Sequence, residues 1–98
     1  MRRDEAVGIL IAHRAEWASY GIRSLDLFGS VARGEAGPGS DVDILVAFAP
    51  GERVGLFRFL RLKETLERLL GRPVDLVTRD AIKPRMRAAI LQELVHVP

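Results

Sequence analysis

The chain has 98 residues, no cysteine, 48% hydrophobic and 29% charged residues, and a formal net charge of +2. Those values describe one compact domain over residues 1–98 with a real core, and they exclude disorder, a disulfide framework and a thiolate metal site. The apolar runs are too short for a membrane span and the amino terminus lacks the pattern of a signal peptide, so a soluble, cytoplasmic protein is expected.

Asp4 is placed to cap a first helix, expected over Glu5 to Tyr20, in which Val7, Leu10, Ile11, Trp17 and Ala18 recur at helical spacing and which Gly21 is suited to end. Ser24 to Phe28 reads as a short strand with Leu25 and Leu27 on one face, stopping at a Gly29-Ser30 turn. Ser30 is placed to cap a helical turn through Val31 to Arg33, after which Gly34, Gly37, Pro38 and Gly39 make a loop. Asp43 to Phe48 is apolar enough for a central strand, closed by Pro50-Gly51. From Val54 to Leu70 a second long helix carries Leu56, Phe59, Leu62, Leu66, Leu69 and Leu70 in one stripe, with Phe57 opposite it and Gly71 as the C-cap. Val74 to Thr78 reads as a third strand. A last helix is expected from Pro84, because proline suits a first turn, with Met86, Ala89, Ile90 and Leu94 as its buried face. The order is thus three helix-then-strand pairs, αβαβαβ, and a closing helix.

The chemistry concentrates between Gly29 and Asp43. A glycine-serine turn offers backbone amides and a hydroxyl to phosphate oxygens, and two aspartates spaced one residue apart offer oxygen donors to the divalent ions that a triphosphate needs. Residues two apart on a strand point the same way, so Asp41 and Asp43 present their carboxylates from backbone positions about 6 to 7 Å apart. Two such groups repel each other unless a cation lies between them, which suits a hard ion such as magnesium. Asp75, near the start of the third strand, is the natural third ligand if that strand lies beside the second. His13 and His96 lack metal-ligand spacing and receive no role; Trp17 reads as a core residue, and Tyr20 is compatible with the core or with an exposed position.

The pattern Gly29-Ser30, Arg33-Gly34, Ser40-Asp41-Val42-Asp43, then Val74-Asp75-Leu76-Val77 after an amphipathic helix resembles the minimal nucleotidyltransferases of the DNA polymerase beta-like superfamily. The likeness runs from Leu25 to Leu94-Val95, nearly the whole chain. It implies an α+β fold, a small mixed sheet of three main strands flanked by helices. It further implies that Ser30 and neighbouring amides, Gly29 among them, hold the phosphates of ATP, with Arg33 contacting phosphate or bracing the loop. Ser40 joins this nucleotide-side set, although its hydroxyl also suits bracing of the loop. Asp41 and Asp43 would bind two magnesium ions, and Asp75 would share one of them and orient or deprotonate the attacking hydroxyl.

Stand-alone members of this kind resemble antitoxins that pair with a helical HEPN-domain ribonuclease and inactivate it by transferring AMP to a tyrosine. That is the leading expectation here, since 98 residues leave no room for a separate acceptor-binding domain. Two other readings stand beside it. A non-catalytic antitoxin would bind its toxin without chemistry, and the intact acidic set argues against it. A transferase acting on a small molecule or a nucleic-acid end would lack its usual equipment, because acidic residues interrupt the basic ones and leave no basic strip for nucleic acid. Homo- or hetero-oligomers are both compatible with the sequence.

Overall fold

The computed structural model describes all 98 residues. Where one unbroken first helix is expected, the chain forms two, α1 (Arg3–Ala12) and α2 (Arg14–Ala18). The break falls at His13, whose φ of −112° and ψ of 23° leave the helical region. Trp17 supplies the cause. Its indole Nε1 donates to the Leu10 carbonyl at 2.7 Å and so competes for the acceptor that the next turn of a continuous helix would use. The reward is a buried indole packed with Ala6 and Leu10. Asp4 lies inside α1, and Arg2 is the N-cap, with no side-chain capping bond.

Four strands build one mixed sheet: β1 (Ile22–Phe28), β2 (Val42–Phe48), β3 (Val74–Thr78) and β4 (Val95–Val97). Their spatial order is β3-β2-β1-β4, with β1 antiparallel to both β2 and β4, and β2 parallel to β3. The fourth strand goes beyond the sequence reading, because three residues are too few for an alternating pattern to register. The remaining helices are α3 (Gly29–Arg33), α4 (Leu56–Leu70) and α5 (Pro84–Gln92), with a 3-10 turn at Arg79–Ala81. Parallel neighbours need a long crossover, and α4 supplies it between β2 and β3.

The two faces of the sheet are covered unequally. Leu25, Leu27, Val42, Ile44, Val46, Val74 and Leu76 share the main core with residues of α1, α2 and α4. On α4, Leu62, Thr65, Leu66 and Leu70 are buried, and Thr65 earns its inner place through a 2.9 Å hydrogen bond between its hydroxyl and that of Tyr20. Leu56, expected in the stripe, begins the helix and is 68% exposed, and Phe57 is 83% exposed. Gly71 ends α4 with a φ of 67°, as its position predicts. The other face carries a small cluster of Phe28, Leu45 and Ile82, against which Ile90 and Leu94 pack. Because this cluster is small, α5 needs only a narrow apolar edge: it has no fully buried residue, and Met86 and Ala89, expected inside, face solvent. No helix is long and apolar enough to cross a membrane.

Candidate active site

β1 delivers the chain to Gly29, and the register of the sheet brings the acids to the same end. Phe28 lies opposite Asp43, and Asp43 lies beside Asp75. Paired residues on neighbouring strands share a face, so Asp43 and Asp75 both stand on the thinly covered face that α5 borders. The adjacency of β2 and β3, which the sequence reading required of Asp75, is therefore present. Asp41 lies one residue before β2 and is exposed.

Gly29 has a φ of 71°, and a Cβ placed on it would collide with a carboxylate oxygen of Asp43 and come within 2.9 Å of that residue's Cγ. Glycine is needed here twice over, for the left-handed backbone and for the close approach to the acid. Asp43 is itself half-buried. Burial pushes its pKa above the usual carboxylate value, and the charges of Asp75, Asp41 and Glu93 push it in the same direction, against the opposing pull of Arg33.

Such a donor set fits a hard divalent cation: three carboxylates on one edge, with one paying for its charge through desolvation and repulsion that a cation would relieve. As the side chains stand, no three acidic or histidine groups are drawn together tightly enough to grip an ion. The aspartates are neighbours across two strands, not a closed cage.

The nucleotide-side candidates divide. Ser30 is half-exposed and sits within the first turn of α3, where Phe28 is the N-cap, so its hydroxyl does not cap the helix as predicted. Its carbonyl accepts from the Glu35 amide at 2.9 Å. The Ser40 hydroxyl accepts from the Gly37 amide at 3.0 Å, and Arg72 donates to the Pro38 carbonyl, so these two side chains brace the glycine loop. Arg33 donates from Nε to Glu35 at 3.0 Å and from Nη1 to Glu93 at 2.9 Å. These bonds raise its pKa further and, from the other side, hold the Glu93 carboxyl below its usual range.

Glu93 is the residue that sequence reasoning missed. Besides Arg33 it takes the Gly29 N–H, which donates to its Oε1 at 3.0 Å. Nothing local marks it, because it follows α5 and reaches the turn only through the docking of that helix on the second face. His96 also has a partner: its Nδ1 lies 3.1 Å from Oδ1 of the buried Asp26. The largest cavity, about 740 Å³, lies at the far end of β2, lined by Phe48, Glu52, Phe59 and Thr78 among others.

Comparison with known proteins agrees with this geometry. The family model for the nucleotidyltransferase domain matches residues 11–97. The protein adenylyltransferase MntA of Thermococcus cleftensis is 44% identical over 95 residues, covering 96% of this chain and 94% of its own. A solved structure of a candidate minimal nucleotidyltransferase superposes with a TM-score of 0.80 at 40% identity, covering 97% of this chain and 95% of that one. The fold is also shared with a structure of the tri-AMPylated HEPN toxin of Shewanella oneidensis in complex with its MNT antitoxin, at a TM-score of 0.66 and 16% identity over 94% of this chain and 71% of that one. With its sheet, its Gly29 turn and its row of aspartates in place, the chain belongs to the nucleotidyltransferase domain family.

Proposed function

We propose that this nucleotidyltransferase is a magnesium-dependent protein adenylyltransferase, which moves AMP from ATP to a hydroxyl, that of a tyrosine on a HEPN-type toxin, and so acts as its antitoxin. The observation that supports the reading most directly is the register that sets Asp43 beside Asp75 and presses Gly29 against Asp43. The relative in Thermococcus cleftensis, a protein adenylyltransferase, supports the choice of reaction. The Shewanella complex, built on the same fold, supports the choice of partner.

In this reading an acceptor oxygen attacks the alpha phosphorus of ATP in line with the bond to the beta phosphate. The new phosphorus–oxygen bond forms as that bond breaks, pyrophosphate departs, and the hydroxyl proton passes to Asp75. Asp41 and Asp43, with Asp75, would hold the magnesium ions, which supply charge neutralisation to the attacking and leaving oxygens. The Ser30 hydroxyl and the turn amides orient the phosphates, and the crowded Gly29 backbone holds Asp43 in one position.

Incubation with the purified partner, ATP and magnesium should add the mass of one or more AMP units to the partner. Asp41→Asn and Asp43→Asn, checked for folding, should each slow this transfer by roughly a hundredfold or more, since several kcal/mol of charge stabilisation are removed. Full neutralisation of the toxin by the doubly substituted protein would show that binding alone suffices.

A further inference from the structure

Two of the donors that a phosphate could use at this turn, the Gly29 N–H and Arg33, are already engaged. Glu93 takes the Gly29 N–H at 3.0 Å with one carboxylate oxygen and Arg33 Nη1 at 2.9 Å with the other. A backbone amide has a single hydrogen, so Gly29 cannot serve Glu93 and a phosphate oxygen together. Arg33 is engaged on its Nε edge as well, by Glu35 at 3.0 Å. Two carboxylates against one guanidinium leave the cluster with an excess negative charge beside the Gly29 turn.

We propose that Glu93 is a tethered surrogate for phosphate, occupying Gly29 and Arg33 in the nucleotide-free protein and swinging aside before ATP is seated. The inference rests on the nucleotide site proposed above. The carboxylate reproduces what a phosphate would offer, two oxygens bridging an amide and a guanidinium, so it keeps both donors aimed while the site waits. Its pKa, held down mainly by the Arg33 bond, keeps it ionised and therefore an effective occupant. Exchange requires little reorganisation. Glu93 is the residue after the last turn of α5, a helix with no fully buried residue, and its side chain is already 24% exposed. A rotation about its side-chain bonds frees both donors with the helix still docked.

The test is the affinity for ATP in the presence of magnesium and without acceptor, measured by calorimetry for the wild-type protein, Glu93→Gln and Glu93→Ala, with thermal melts of each. Removing the competitor should tighten ATP binding by about threefold to tenfold, the range set by partly exposed ion pairs. The KM for ATP should fall by the same factor, which a purely structural brace would not produce. A brace would act in the opposite sense, its loss loosening the turn and weakening ATP. Glu93→Gln is close to isosteric and carries the test if Glu93→Ala does not fold. Equal or weaker ATP binding by folded Glu93→Gln, while the wild type binds ATP, overturns this inference and leaves the proposed activity standing. Absence of ATP binding in the wild type and both variants overturns the two together.

Discussion

Asp43 is held in a position that costs the fold stability. The Gly29 turn approaches it too closely to admit a Cβ, and burial with nearby carboxylates raises its pKa. A raised carboxyl pKa means that the native state binds the proton more tightly than the unfolded chain does. Stability therefore falls as pH climbs from the ordinary carboxylate range through the raised value, and above that the penalty is complete. Asp43→Asn should accordingly raise the melting temperature of the metal-free protein at neutral pH, by up to about 5 °C given that the group is partly solvated, and the gain should shrink in acid. Differential scanning calorimetry at two pH values checks both halves. At this scale the candidates of the turn were legible, because Gly29, Ser30, Asp41 and Asp43 lie within fifteen residues, whereas Asp75 depended on the adjacency of β2 and β3, which only the sheet register supplies. Glu93 was not legible, because only long-range packing brings it to Gly29.

Elements show the same division between local pattern and tertiary contact. The cap at Gly71 and the inner part of the α4 stripe, Leu62, Leu66 and Leu70, follow from spacing alone and are present, whereas Leu56 at the start of the helix is exposed. The break at His13 does not, since it arises when the Trp17 side chain bonds to a carbonyl seven residues back. The outer edge of α5, with Met86 and Ala89 exposed, departs from its apolar spacing for a related reason: spacing says which residues could be inside, and the area of sheet left to cover decides how many are. The two sides of α4 provide a direct contrast. Leu66→Ala, at a position with no exposure, should cost about 2 to 5 kcal/mol of folding free energy. Phe57→Ser, at a position 83% exposed, should change stability by no more than about 0.5 kcal/mol. Urea denaturation of the two variants beside the wild type measures both.

Across the whole molecule, the sheet is packed on one face by α1, α2 and α4 and only bordered by α5 on the other, and the molecule is 22 Å in its shortest dimension. The acids stand on the open side, where a large partner has access. Part of the basic charge is neutralised within the molecule, and the formal net charge is only +2. Arg3 on α1, Arg33 on α3, and Arg58 and Arg68 on α4 each pair with an acidic side chain. Any association with a random oligonucleotide should therefore depend weakly on salt, with a slope of log K against log salt shallower than about −2, the value for two neutralised phosphates. Fluorescence anisotropy over a salt series measures the slope.

One irregularity in the β1–β2 ladder has an outcome for how the gene for such a protein tolerates insertions and deletions. The pairing shifts between Ile22 and Ser24 and then runs without interruption to Phe28 and Asp43. A residue gained or lost upstream of that bulge can be taken up there, like slack in a belt. Downstream of it there is no slack: a single-codon deletion within Leu25–Phe28 would put the ladder out of phase, turning core leucines outward and leaving Asp43 without the turn that confines it.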